Sequence, residues 1–296
     1  MEIDTLNEEG MKYTTRLKVP GTIQQIPRLA RYQISEYLHS KRFIALVAIV
    51  VAIGAIFSFI MNYYRSTAIT DAVSFYSSSW AGGVTFIIVL SAVFFGGDSI
   101  AGEFQNKTGY FLMSAPIRRS TVYVGKFIAA FLSSFVIVLI FLLIMIANGA
   151  YYFGENAFPW QLGASLLFSL AYLLAVLGTT FFFSSLFKTS SYGFVLTAIL
   201  FLIGFSLLQT VVTGFAKTEP WMVISYAQGV IGQVFNSPIN WGLSATVSTT
   251  KFRTPSGIGT LTTYSPGIAE GILIMLCYFV LTSIAGLFLF EREEFT

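Results

Sequence analysis

Six long apolar runs constrain the fold of this sequence more than any other feature. A helix needs about 20 apolar residues to cross a hydrocarbon core of about 30 Å. Backbone polar groups in lipid must be satisfied inside such a helix, so irregular chain does not span there. The sequence therefore predicts an all-α integral membrane protein with six transmembrane helices. The predicted spans are 43–61, 75–95, 127–147, 162–183, 192–212 and 268–290.

The composition agrees with this class and excludes several others. Only 10% of the residues are charged, whereas soluble domains average about 25%. One Cys and one His exclude a disulfide framework and a structural zinc site built from several such ligands. The net charge of +3 is too small to indicate nucleic-acid binding, so we expect no nucleic-acid partner.

The distribution of Lys and Arg predicts the orientation of the chain. Thirteen of the 17 basic residues fall before the first span, in the second and fourth loops or after the sixth span. Cytoplasmic segments carry the excess of Lys and Arg. Both termini are therefore predicted to be cytoplasmic, in a multi-pass protein of the cell (plasma) membrane.

Residues 1–42 form the first predicted region, a cytoplasmic tail that ends in an amphipathic helix over 27–40. Pro27 suits the first turn of this helix. We expect the helix to lie flat on the inner leaflet, among membrane lipids; the alternative is a polar tail that runs straight into the membrane. The apolar side consists of Ile26, Leu29, Ala30, Ile34, Tyr37 and Leu38, opposite Arg28, Arg31, Ser35 and His39.

Residues 43–296 form the second predicted region, a single six-span domain with a long outer segment at 213–267. A loop this long is usually functional or disordered. Its first part, 221–235, has apolar residues at helical spacing and predicts a short helix that dips into the outer interface of the membrane. The remainder is rich in Gly, Ser, Thr and Pro and is expected to be exposed.

The predicted spans lack the groups that drive transport or catalysis. Glu270 is the one carboxylate within them, at the outer mouth of the sixth, where it faces water or caps the first helical turn. The sole histidine, His39, lies outside the spans, which argues against a Ser-His protease. The sequence around Gly125-Lys126 has Ser120 in place of the first glycine of a phosphate-binding loop and Phe127 in place of its hydroxyl residue. We therefore expect no enzyme activity and no cofactor in this chain, which leaves a pore, a scaffold or an externally powered transporter.

The loop at 98–126 carries the strongest functional signal. An apolar and aromatic cluster at 110–113 is followed by Pro116, which ends a helix, and then by Arg118 and Arg119. The pattern predicts a short cytoplasmic helix with exposed apolar side chains. Such a surface is costly in water unless a partner covers it.

This loop resembles the first cytoplasmic loop of the ABC transporter type-2 permease family. The resemblance consists of Glu103, Thr108, a Leu/Met-rich turn, Pro116 with Ile117 and Arg119, and Gly125 with Lys126. The chain differs where the family usually has Gly-Thr, since it has Lys107-Thr108, and where Ser precedes Arg, since it has Arg118. The six-span layout, the inner-surface helix and the outer segment resemble the same family.

The resemblance implies a coupling helix that docks into a cytosolic ATP-binding subunit. It also implies two ATPase subunits, which bind ATP and Mg, and a second permease chain that is expected to be identical. Glu103 is expected to support the gate, by pairing with Arg28 or Arg31. The residues implied for the ATPase interface are Thr108, Gly109, Tyr110, Phe111, Leu112, Met113, Pro116, Arg118 and Arg119.

The function expected from these features is the permease subunit of an ATP-driven exporter. The abundance of Phe and Tyr indicates a hydrophobic or amphipathic cargo such as a lipid, a peptide or a drug. The alternative is a membrane scaffold or assembly factor whose segment 213–267 docks an extracytoplasmic partner. A passive channel is a third possibility.

Overall fold

The structure is a computed structural model, and it describes residues 2–6, 12–16, 22–64, 71–105, 118–254 and 257–292. Within these ranges it has six helices that are long and apolar enough to cross a membrane, which confirms the six predicted spans. They cover Lys41–Tyr63, Ala72–Glu103, Arg119–Phe153, Trp160–Leu186, Ser190–Ala216 and Ile268–Arg292; we number them as the first to sixth spans.

Several of these spans are longer or less regular than the sequence predicted. The third begins at Arg119 rather than at 127. The prediction marked only the apolar run, and the first two turns of the helix precede it. The second consists of Ala72–Phe75, a π turn at Tyr76–Trp80 and Ala81–Gly96, followed after a break by Ala101–Gln105. The fifth contains Ser190–Ile199 and Phe205–Val211, with π turns at Leu200–Gly204 and Val212–Ala216. The first helix runs over Lys41–Tyr64, and a 3₁₀ turn at Gly154–Ala157 follows the third.

The N-terminal helix covers Thr22–Leu38, so the prediction that Pro27 occupies its first turn was wrong. A proline inside a helix removes only its own N–H bond and crowds the preceding turn, and here Pro27 is exposed. The apolar side of the helix packs on the third span: a Cβ at Gly125 would lie 2.6 Å from Leu29 Cδ2. Ala30 and Tyr37 are buried. The amphipathic pattern is confirmed, while the position of the helix on the inner leaflet stays a prediction.

The described residues include two antiparallel β-hairpins that the sequence did not predict. Strands β1 (Glu2–Leu6) and β2 (Lys12–Arg16) pair with Glu2 opposite Arg16. Strands β3 (Thr246–Thr254) and β4 (Gly257–Ser265) pair with Thr246 opposite Ser265. Both hairpins are rich in β-branched Thr, which favours strands. The strands β3 and β4 were not predicted, whereas the expected exposure of the segment after 235 is confirmed for most of residues 236–250.

The second and fourth spans form the centre of the bundle. In the most apolar window of the second span 72% is buried, against 11% in the fifth. Trp80 of the second span stacks on Phe141 of the third, with ring centroids 5.7 Å apart. The first, fifth and sixth spans leave most of their surface uncovered in the single chain.

The outer segment packs into one end of the bundle as two short helices, Ile224–Ala227 and Val230–Gln233, rather than as the single helix predicted over 221–235. Its predicted apolar side is buried in full. The Ser165 hydroxyl connects it to the bundle, since it accepts from Trp80 Nε1 at 2.9 Å and donates to the Ile231 carbonyl at 2.8 Å. How deep this segment lies in a membrane stays a prediction.

Acidic residues lie at this same end. Glu270 Oε2 accepts from the Gly267 N–H at 3.2 Å and caps the sixth helix, one of the two roles the sequence indicated. The Tyr226 hydroxyl donates to Glu219. Burial, then this hydrogen bond and the nearby charge of Glu270, raise the pKa of Tyr226 far above its usual range, so the phenol stays protonated.

Candidate functional site

The predicted coupling helix lies in residues 106–117, outside the residues that the structure describes. The assignments to Thr108, Gly109, Tyr110, Phe111, Leu112, Met113 and Pro116 therefore stay predictions. The structure does describe the chain on both sides of this segment. We call residues 98–105 and 118–126 together the loop base.

A buried ion pair joins the two halves of the loop base. Lys126 Nζ lies 2.5 Å from Glu103 Oε1 and donates to the Ser99 carbonyl at 2.7 Å. The Lys126 side chain is 7% exposed and that of Glu103 is 15% exposed. A charge removed from water to this extent is stable only beside an opposite charge and hydrogen-bond partners. The pair therefore closes the chain around residues 106–117.

This pair differs from the predicted pairing of Glu103 with Arg28 or Arg31, while the support of the gate by these residues stays a prediction. Within the part of the chain that the structure describes, Glu103 forms an ion pair with Lys126 of the third span and with neither arginine. The physical reason is proximity: Lys126 lies beside the end of the second span, whereas both arginines are exposed on the N-terminal helix.

The break in the second span is anchored to the fourth span. Residues 97–100 leave the α-helix, and this frees backbone N–H groups that need acceptors. The Ser184 hydroxyl accepts from both the Ile100 N–H and the Ala101 N–H, each at 3.1 Å. Ser184 is fully buried, so these bonds fix the start of the loop base against the centre of the bundle.

The fifth span also contacts the loop base. Gln105 Oε1 accepts from the Ser190 N–H at 2.8 Å, which satisfies one of the free donors at the start of that helix. The two spans approach closely at Gly97, where a Cβ would lie 3.1 Å from the Phe194 Cα. A Cβ at Gly193 would lie 2.7 Å from the Gly97 carbonyl oxygen. Both glycines are therefore required by the packing.

Charged side chains connect the loop base to the start of the first span and to the end of the sixth span. Arg42, at the start of the first span, forms an ion pair with Asp98, although the Arg42 side chain is 51% exposed. Arg119 Nη1 donates to the Glu291 carbonyl at 3.2 Å, at the end of the sixth span. Arg118 is exposed, and its carbonyl accepts the first hydrogen bonds of the third helix. Of the two predicted arginines, Arg118 thus faces solvent and Arg119 is partly occupied within the chain.

The N-terminal helix lies directly beside this network. Tyr37 packs on Phe95 with ring centroids 5.2 Å apart. Burial raises the pKa of the Tyr37 phenol far above its usual range, and the charges of Asp98 and Glu36 add to this effect. Leu29 fills the space at Gly125, the residue before Lys126. A displacement of the loop base would therefore also displace the N-terminal helix.

Most of the residues that hold the loop base together were not predicted from the sequence. Lys126 was noted as part of the family pattern but was given no role, and Arg42, Asp98, Gln105 and Ser184 were not singled out. One signal was available for Lys126, since a lysine that begins a long apolar run needs a local partner. The hydroxyl of Ser184 gave no such signal, because serines are common in membrane helices.

The fold and this site together define a class: a six-span membrane protein in which all six spans contribute to, or contact, one loop base. The family model described as ABC-2 family transporter protein matches residues 28–295 of the chain. The chain therefore belongs to this family. It is therefore a membrane permease component of an ABC transporter and a multi-pass protein of the plasma membrane.

Family membership also carries a coarse statement about partners. ABC-2 permeases associate with an ATP-binding subunit, and ATP hydrolysis generally belongs to that separate subunit. No curated protein matches the chain.

Proposed function

We propose that this chain is the permease subunit of an exporter, and that a cytosolic ATPase subunit drives it through residues 106–117. The observation that carries the proposal is the buried Lys126–Glu103 pair, which closes the base of that segment. Two copies of the ATPase subunit bind ATP and Mg, and each acts on one permease chain. This chain itself binds no nucleotide in the proposed scheme.

The contacts of the loop base support a mechanical role. The ion pair joins the second span to the third, Ser184 joins the break to the fourth span, and Gln105 joins it to the fifth. Packed interiors transmit displacement because they have few voids to absorb it. A push on residues 106–117 would therefore reach four spans without passing through an exposed, flexible joint.

The composition of the segment supports docking. Residues 110–113 are Tyr, Phe, Leu and Met, and exposed Arg118 follows them. Aromatic residues, Met and Arg are enriched at the centre of protein interfaces. In the proposal the apolar side chains enter a groove of the ATPase subunit, and Arg118 pairs with acidic or carbonyl groups at its edge.

The uncovered spans support a pathway made by two identical chains. The first, fifth and sixth spans bury little of their surface in one chain, and the fifth buries least. In the proposal a second copy covers part of this surface, and lipid covers the remainder. The mass of the detergent-solubilised complex, determined by light scattering, tests the number of permease chains.

We further propose a hydrophobic or amphipathic cargo. Among the described residues, the charged groups of the spans lie at or near their ends, and the interior consists mainly of aromatic and aliphatic side chains together with uncharged Ser and Thr. Stimulation of the ATPase activity of the complex by lipids, peptides or amphipathic drugs would identify the class. A response confined to small polar solutes would contradict this part of the proposal.

The docking step is tested by replacing Phe111 and Leu112 with Asp. This change should abolish co-purification of the ATPase subunit, because two desolvated carboxylates cannot enter an apolar groove. The matched control replaces Trp241 and Leu243, two exposed apolar residues at the opposite end, and should leave the complex intact. Undiminished association in the Phe111/Leu112 variant would exclude docking through this segment.

A scaffold function remains the second candidate, and the hairpin β3–β4 is the observation that favours it. Trp241 and Leu243, shortly before the hairpin, and Val247 in β3 are exposed, which gives an extracytoplasmic partner an apolar surface. Deleting 248–263 shortens the hairpin but keeps the Tyr264 hydroxyl bond to the Lys217 carbonyl. Loss of a bound partner with unchanged export would favour the scaffold; loss of export alone would argue against it.

A further inference from the structure

An apolar groove separates the N-terminal helix from the third span. Its volume is about 280 Å³, at the lower limit of ligand pockets, which range over roughly 300–1,000 Å³. It therefore has room for part of an extended chain rather than for a whole bulky solute. The lining residues are Ile26, Pro27, Ala30, Arg31, Ile34, Ile128 and Leu132.

The groove continues into the lipid-facing surface of the third span. Leu132 is 40% exposed, and Leu143, further along the same span, is 63% exposed. A span of a membrane protein presents such a surface to acyl chains. We therefore expect the open side of the groove to face lipid tails rather than water.

Cations stand at the polar rim of the groove. Arg31 is one of the lining residues, and Arg28 lies one helical turn before it, on the same face. Both are exposed, and neither forms an ion pair with an acidic group in the described part of the chain. The nearest acidic residue along the helix, Glu36, is bonded instead by Gln33 Nε2 at 2.7 Å. An apolar slot with a cationic rim complements an amphiphile with an anionic head.

We propose that this groove binds one anionic phospholipid of the bilayer. One acyl chain lies along Ile34, Ile128 and Leu132, and the phosphate pairs with Arg28 and Arg31. Basic clusters beside a membrane span attract anionic headgroups. This places the two arginines in lipid binding rather than at Glu103.

The proposed site adjoins the loop base. Leu29, on the turn between Arg28 and Arg31, packs on Gly125, which precedes Lys126. A lipid that holds the N-terminal helix against the third span would therefore also steady the Lys126 end of the loop base.

The test uses the full-length protein in nanodiscs of equal amounts of phosphatidylglycerol and phosphatidylcholine. Native mass spectrometry then gives the ratio of the two lipids retained by the released protein. Wild-type protein should retain one phosphatidylglycerol in preference. Each Arg near a membrane surface contributes about fivefold to the binding of anionic lipid, so an Arg28→Gln, Arg31→Gln variant should lose most of this preference. Lys188→Gln, which removes an exposed cation at the same end, should keep it.

A second variant separates the groove from general attraction to the surface. Leu132→Trp fills the groove and should release the retained lipid, whereas Leu143→Trp, on the same span outside the groove, should not. Both positions are exposed, so neither change disturbs the packed interior. Equal retention of phosphatidylglycerol in all variants would overturn the proposal. An equal loss in Leu132→Trp and Leu143→Trp would also overturn it, as would an equal loss in the arginine variant and Lys188→Gln.

Discussion

Replacing Lys126 by Met measures how strongly the ion pair stabilises the loop base. Met keeps the apolar stem of the side chain but removes the cation and its bond to the Ser99 carbonyl. Breaking a buried pair by removing one member costs about 3–5 kcal/mol. Because the Glu103 side chain is 15% exposed and keeps some solvation, we expect the lower limit, about 3 kcal/mol.

The Arg42–Asp98 pair provides the matched control. Arg42 is 51% exposed, and exposed ion pairs contribute about 0–1 kcal/mol. Arg42→Met should therefore cost at most one third of what Lys126→Met costs. A double variant, Lys126→Met with Glu103→Leu, should be more stable than Lys126→Met alone, because replacing both charges by apolar groups removes the desolvation cost.

Free energies of unfolding are to be measured by SDS titration in mixed micelles, with helical circular dichroism as the signal. The same variants should be assayed for ATPase activity in the complex, where Lys126→Met should lower cargo-stimulated activity more than Arg42→Met does. If Lys126→Met and Arg42→Met cost the same, or if the double variant is the least stable, the ion pair does not hold the loop base.

Three further predictions concern the same region. Ser184→Ala leaves two buried N–H groups without their acceptor, so it should lower the free energy of unfolding by about 1–3 kcal/mol and speed amide exchange at the break in the second span. In the control Ser185→Ala, the lost hydroxyl bonds its own helix, so amide exchange at the break should not change. Equal exchange in both variants would refute the anchoring role of Ser184. Gly97→Ala places a Cβ 2.6 Å from a backbone oxygen and should destabilise the protein by about 1–3 kcal/mol. Gly82→Ala adds a Cβ in open space and should be neutral or stabilising. A higher melting temperature for Gly97→Ala than for Gly82→Ala would contradict the close packing at Gly97. The raised pKa of Tyr37 contributes stability that is fully present below the unfolded pKa of about 10 and is lost as the pH rises above it. The free energy of unfolding of Tyr37→Phe should therefore fall less steeply above pH 10 than that of the wild type. An equally steep fall in the variant and the wild type would count against the burial of Tyr37.

The sequence predicted those features that depend on one segment at a time. Each span is an unbroken apolar run, so its presence could be predicted without knowledge of its neighbours. The N-terminal helix followed from its 3.6-residue periodicity, and the cap at Glu270 from its place in a first turn. The end of each helix was less predictable, because the third span continues as a helix through polar residues from Arg119.

Features that depend on two distant segments were not predicted. Glu103 and Lys126 are 23 positions apart, and the choice of Lys126 over Arg28 or Arg31 depends on how the second and third spans pack. The bond from Ile100 to Ser184 spans 84 positions, and serine carries no pattern that marks it as an anchor. The hairpin β3–β4 was missed because its Gly, Ser and Thr content suggested a loop, although its β-branched and aromatic residues favour strands.

The central claim is that residues 106–117 contact the ATPase subunit, and site-directed cross-linking tests it most directly. Cys277 is the single cysteine of the chain and is first replaced by Ser; one cysteine is then placed at Leu112 or, as control, at Leu243. With a thiol-to-amine cross-linker in intact membranes, Leu112→Cys should give an adduct of one permease and one ATPase subunit, and Leu243→Cys should give none. An adduct only from Leu243→Cys, or labelling of position 112 by an impermeant reagent from outside the cell, would contradict the account.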